Sequence, residues 1–210
     1  MRRTIPLTLA AIMTLGAAPA LAQDAEESAA PAPTERAEST LYGLAVELPA
    51  EWSVTFPEGE RVSAITDAEG QPVMEATVVY ANGGGGTWCD VDAYLGLAED
   101  ATLEGHAYAY VNFLQQTESA DAQMVVIETD IPAGPAYRIE IFEPSNGRIR
   151  AMYLVDGPMD DDGLRNRYLL SCASRDASQP FWEDIAGSVE VMAPMAESEA
   201  EMTEETASED

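Results

Sequence analysis

Between residues 41 and 192 the apolar positions mostly alternate with polar ones or form short unbroken runs, and that period predicts strands. Residues 44–48 (LAVEL) are apolar apart from Glu47 and stop at Pro49, which cannot donate to a sheet ladder. Residues 52–56 (WSVTF) alternate and stop at Pro57. Residues 61–66 offer Val62, Ala64 and Ile65 before a turn at 67–70 (DAEG). Residues 73–81 (VMEATVVYA) form the longest β-rich run of this half and predict a central strand. The four pieces have short connections, which predicts antiparallel pairing among them.

After 82–86 (NGGGG), read as a flexible break, the period changes. Asp90 is a good N-cap, and Val91, Tyr94, Leu95 and Ala98 follow at helical spacing. Residues 103–116 predict a second helix with Ala107, Tyr110, Val111 and Leu114 on one stripe, against the weakening effect of Gly105. Strands then return at 124–129 (MVVIET), 136–142 (AYRIEIF), 148–155 (RIRAMYLV) and 168–173 (YLLSCA). Asn146-Gly147 between two of them is a hairpin signal. Ser178, with Pro180 behind it, predicts the cap of a last helix over 181–187, followed by a short extended piece at 188–192. Strands segregated from helices predict an α+β fold with a mainly antiparallel β-sheet.

The two ends read differently. Residues 1–22 combine basic Arg2 and Arg3, an apolar run from Leu7 to Ala18, the breaker Pro19 and a small-x-small site at Ala20-Leu21-Ala22. That pattern predicts a cleavable signal peptide, too short for a membrane span, and so a periplasmic or secreted protein. Thr4-Ile5-Pro6-Leu7 after the arginine pair fits an ordinary basic start better than twin-arginine export. No cysteine stands just after the cleavage site, where Gln23 is found, so no lipid anchor and no membrane insertion are expected after export. Residues 23–40 are mostly Ala, Pro, Glu and Ser, and residues 193–210 hold seven acids and no base. Both predict disorder, because neither buries enough apolar surface to offset its ordering entropy. The remainder, 41–192, is the size of one domain with one core.

Charge narrows the partners. The chain has 38 acidic residues against 10 basic ones, for a net charge of −28, and every base is arginine. That balance argues against nucleic acid and disfavours anionic membrane surfaces, since both call for a basic patch. A cationic partner or a divalent ion stays open. The two cysteines, Cys89 and Cys172, predict a disulfide in an oxidising compartment, with one possible connectivity.

The opening Tyr42-Gly43-Leu44-Ala45-Val46-Glu47-Leu48-Pro49-Ala50-Glu51-Trp52 resembles the start of the PsbP-like superfamily, a small apolar strand followed by Pro and, three residues on, Trp. The close, 168–173 (YLLSCA) and then 181–189 (FWEDIAGSV), resembles that family's last strand and terminal helix. The superfamily includes a photosystem extrinsic protein, a Ran-binding nuclear factor and exported bacterial proteins of unknown role. The resemblance spans about 41–192 and implies an antiparallel sheet flanked by helices on both faces. It implies action by binding macromolecules or ions rather than by catalysis, and it transfers no functional residue onto this chain.

Candidate chemistry is sparse. His106 is the only histidine, so triads and histidine metal clusters would have to run through it; beside Gly105 it is read as a surface or cap residue. No nucleophile elbow, no H-E-x-x-H and no lysine for a P-loop are present, so the chain is read as non-enzymatic with no cofactor. Gly83, Gly84, Gly85 and Gly86, with Trp88 beside them, form a candidate binding loop. Asp156, Asp160, Asp161 and Asp162 form an oxygen-rich stretch that suits a weak Ca²⁺ or small-ligand site. In EF-hand register it lacks the first and last ligands, because Pro158 and Leu169 fall there, and a solvated hairpin connection is favoured. The leading expectation is an envelope interaction module that meets a protein partner through the loops at 82–90 and 156–163.

Overall fold

The structure is a computed structural model that describes residues 34–193, apart from 58, 67–69, 119 and 176–180. The expected signal peptide, the acidic tail beyond Ala193 and the Ser178 cap lie outside the described residues.

In chain order the elements are β1 (Thr34–Ser39), β2 (Leu44–Pro49), β3 (Ser53–Thr55), β4 (Glu60–Thr66), β5 (Pro72–Gly84), β6 (Thr87–Ala98), α1 (Leu103–Thr117), β7 (Gln123–Ile131), β8 (Gly134–Glu143), β9 (Arg148–Met159), β10 (Leu164–Ser174), α2 (Phe181–Gly187) and β11 (Glu190–Val191). The large sheet runs β3-β5-β6-β10-β9-β8-β7, with β4 also on β5, and a small sheet runs β1-β2-β11. Every pairing is antiparallel.

The central strands are buried on both faces, which is why 152–155 and 168–170 read as continuous apolar runs. Their side chains alternate between two cores. Ala151, Tyr153, Val155, Tyr168 and Leu170 join β2 and the α2 residues Trp182, Ile185 and Ala186 in one core. Met152, Leu154 and Leu169 join the α1 residues Ala107, Val111 and Leu114 in the other. Each fully buried Leu or Ile contributes about 1.5–3 kcal/mol, so the two-sided sheet carries most of the stability.

Helix α1 begins where Thr102 accepts the Gly105 N–H on its Oγ1 at 3.1 Å, and it ends as the Glu118 N–H reaches the Leu114 carbonyl at 2.8 Å. On the opposite side, Ser188 Oγ accepts the Glu47 N–H at 2.9 Å and ties the end of α2 to β2. The Tyr168 hydroxyl donates to the Tyr42 carbonyl, fixing the entry to β2.

Four sequence expectations change. Residues 34–39, expected to be disordered, form β1: the strand pairs through its backbone with β2, buries Ala37 and ties Arg36 to Glu38 and Glu190 at 2.9 and 2.8 Å. Residues 90–98, expected to be a helix, belong to β6. A bulge sets Leu95 and Gly96 opposite Asn166 alone, with Gly96 at φ +63°, so Tyr94 and Leu97 share a face three residues apart. That spacing imitates a helical stripe. The glycine run is a tight hairpin tip, with Gly85 and Gly86 at φ +62° and +87° as a two-residue primed turn requires. Finally, the first four predicted strands do not form one ladder: β2 leaves for the small sheet, and β3 and β4 both pair with β5.

Candidate functional site

The two loops expected to share a binding surface lie at opposite ends of the large sheet. In the β6–β10 ladder Trp88 faces Ala173 at one end and Ala98 faces Leu164 at the other, about 30 Å away at roughly 3.3 Å per residue. Gly83, Gly84, Gly85 and Gly86 are exposed at the first end, and Trp88 beside them is half-buried.

The 160–163 connection is a self-contained turn. Asp160 accepts the Asp162 and Leu164 N–H groups on Oδ1 at 3.0 and 2.8 Å. Asp161 and Asp162 are exposed. Asp156 is committed to cations of this chain: Arg167 Nε lies 2.5 Å from its Oδ1, and Arg165 Nη1 lies 3.0 Å from its Oδ2. Among the described residues no group of three His, Cys, Asp or Glu side chains is placed to hold a metal ion. Cys89 and Cys172 face each other across β6 and β10 and are joined as a disulfide.

At this second end, under the first turns of α1, is a cavity of about 310 Å³. It opens between the end of β4 at Thr66, the start of β5 at Val73 and the end of β6 at Leu97. Its depth and its mouth differ. Val73, Leu97, His106 and Arg167 are buried, with Arg167 at 0 % exposure and His106 at 7 %. Asp100, Thr102, Gly105 and Ala109 at the mouth are exposed.

Arg167 builds the floor. It sits beside the bulge of β6, and its guanidinium forks from Asp156 to the Thr102 carbonyl (Nη1, 3.1 Å) and the Ala101 carbonyl (Nη2, 2.7 Å). Those carbonyls precede α1, so one buried cation fastens the helix start to β9 and β10. Arg165 adds a bond to the Glu99 carbonyl at 3.3 Å in the same turn.

His106 is buried, contrary to its reading as a surface or cap residue. Its ring meets the Tyr94 ring edge-on at 4.5 Å between centroids, and its Nε2 is buried without a hydrogen-bond partner. Burial, and then the Arg167 charge, push the imidazole down to about 3, so it is neutral at ordinary pH. The signal was present in the sequence: position 106 precedes Ala107 and stands four residues before Tyr110, on the edge of the apolar stripe.

A second polar cluster lies on the same sheet face, toward the other end. Arg61 reaches Glu75 at 2.7 Å, Thr77 at 2.7 Å and Asp92 at 3.2 Å, and Thr77 donates to Asp92 at 2.6 Å. Asp90 beside them keeps Oδ1 buried without a partner, and burial followed by the Asp92 charge pushes its carboxyl up to about 8. Arg150, itself paired with Glu118, and then Arg61 partly offset that rise. Sequence reading offered Asp90 only as a helix cap, because a helix was expected there.

No protein-family model matches the chain, and no curated protein sequence matches it. Among solved structures it is similar to the solution structure of cyanobacterial PsbP (CyanoP) from Synechocystis sp. PCC 6803. The TM-score is 0.45 at 14% identity, over 78% of this chain and 95% of that one.

Proposed function

We propose that this chain is an exported, non-catalytic binding protein whose ligand is small and enters the cavity at the start of α1. Export rests on the signal-like pattern of residues 1–22 and the Cys89–Cys172 bond. The observation that carries the binding reading is the open cavity of about 310 Å³ at the start of α1, walled at depth by the buried Val73, Leu97, His106 and Arg167. A concave site that is mostly apolar at depth and carries a few polar groups is the usual form of a small-ligand site, and the His106 imidazole in its wall is placed to report occupancy. No helix among the described residues is long and apolar enough to cross a membrane.

The test uses His106 as a reporter, since a single histidine gives a single imidazole NMR signal. The neutral probe 2-phenylethanol is added to the full chain and to Ala109→Trp, which closes the mouth from an exposed helical position. A saturable shift in the wild type that Ala109→Trp abolishes supports the reading. A shift of equal size in both, or none in either, contradicts it.

A second reading keeps the envelope partner. Val125 at 53 %, Ile127 at 40 % and Phe142 at 42 % exposure lie on the edge strand β7 and its neighbour β8. An apolar edge of that kind suits a protein partner.

A further inference from the structure

We infer that the ligand of the α1 cavity is a small organic amine, its apolar body set against Val73 and Leu97 and its ammonium held at the mouth by Asp100. The inference rests on the cavity being a ligand site, and it adds the charge and size of what enters. Four observations carry it.

The deep wall is apolar or neutral. Val73 and Leu97 are buried aliphatic side chains, and the buried imidazole of His106 carries no charge to repel a cation. The cation at depth, Arg167, is spent: it has no exposed surface, pairs with Asp156 and donates to the Thr102 and Ala101 carbonyls. A carboxylate or phosphate entering the cavity would find no donor fork to receive it.

The mouth is acidic. Asp100 lines it, and Glu99 and Glu104 are exposed on the adjoining turn and the first turn of α1. The whole chain, at −28, draws cations toward such a mouth and repels anions from it. Size follows from volume: at about 30 Å³ of liquid per water, the cavity corresponds to about ten waters and hence about ten non-hydrogen atoms.

Three probes of nearly equal shape separate the possibilities: phenethylamine, 2-phenylethanol and phenylacetate. Each is titrated into the full chain in low and in 0.5 M salt, read by the His106 imidazole signal. The same titrations are run on Asp100→Asn, an exposed substitution that leaves the core intact. The expected order is amine, then alcohol, then carboxylate. The amine should bind about 3- to 5-fold tighter than the alcohol, the upper part of the range for one partly exposed ion pair. Asp100→Asn should bring amine and alcohol within about twofold, and added salt should weaken the amine alone. An alcohol or carboxylate that binds as well as the amine overturns the inference and leaves the cavity as a ligand site. An amine advantage that survives in Asp100→Asn also overturns it. Failure of all three probes removes the site itself.

Discussion

Replacing Arg167 with Met tests whether one buried cation fastens α1 to the sheet. Methionine has similar length and no donor, so the perturbation removes the fork without opening a large void. Three bonds disappear: to Asp156 at 2.5 Å, to the Thr102 carbonyl at 3.1 Å and to the Ala101 carbonyl at 2.7 Å. Their partners fare unequally. Asp156 keeps Arg165 at 3.0 Å, and the Thr102 carbonyl keeps the His106 N–H at 3.1 Å. The Ala101 carbonyl loses its Arg167 donor. Breaking a buried ion pair costs about 3–5 kcal/mol, and the surviving Arg165–Asp156 pair sets the value at the low end, about 3 kcal/mol. For a domain of this size that lowers Tm by about 6–12 °C. Thermal unfolding by circular dichroism measures the shift, and hydrogen exchange locates it, since the Gly105 and His106 amides should lose protection first. Arg167→Lys is the control, because an ammonium cannot span three acceptors in a plane and should recover less than half of the loss. A Tm within 2 °C of wild type for Arg167→Met, or full recovery by Lys, refutes the fork.

Three further perturbations have defined signs. His106 is held down to about 3 from 6.5, so the unfolded chain takes up a proton that the folded chain refuses; stability is complete above 6.5 and falls toward pH 3 by up to about 1.4 kcal/mol per pH unit. His106→Phe should flatten that limb of the urea midpoint against pH. Asp90 has the opposite sign: raised from 3.8 to about 8, it favours the fold at low pH and loses that contribution as pH rises through 8. Asp90→Asn should therefore raise the urea midpoint more at pH 8.5 than at pH 4, and equal gains would contradict the assignment. Reducing Cys89–Cys172, which are 83 residues apart, should cost up to about 4.5 kcal/mol by chain entropy and lower Tm by about 10 °C under a reductant such as TCEP.

Much of the fold was legible because burial on one or two faces writes itself into the side-chain period. The pieces at 44–48, 73–81, 136–142, 148–155 and 168–173 all fall within strands β2, β5, β8, β9 and β10. The stripe of Ala107, Val111 and Leu114 marked α1, and Asn146-Gly147 marked the β8–β9 turn. What escaped was non-periodic. The Gly96 bulge shifts the phase of β6 by one residue and disguises a strand as a helix. Strand β1 has one buried side chain, Ala37, so its order comes from backbone pairing that no residue pattern announces. The cavity was less legible still. Its floor is Arg167, a charged residue between apolar neighbours in the sheet, and its value depends on carbonyls 65 and 66 residues away. The Asp160 turn drew attention because acids clustered there, yet a cluster in sequence turned out to be a hydrogen-bonded turn in space.

The most direct measurement is a set of intermolecular NOEs between phenethylamine ring protons and the methyl groups of the full chain at saturating amine. A ligand site under α1 predicts NOEs to Val73, Leu97 and Ala109, all of which line the cavity. NOEs to Val125 and Ile127 on the exposed edge instead, or none at all, would contradict it.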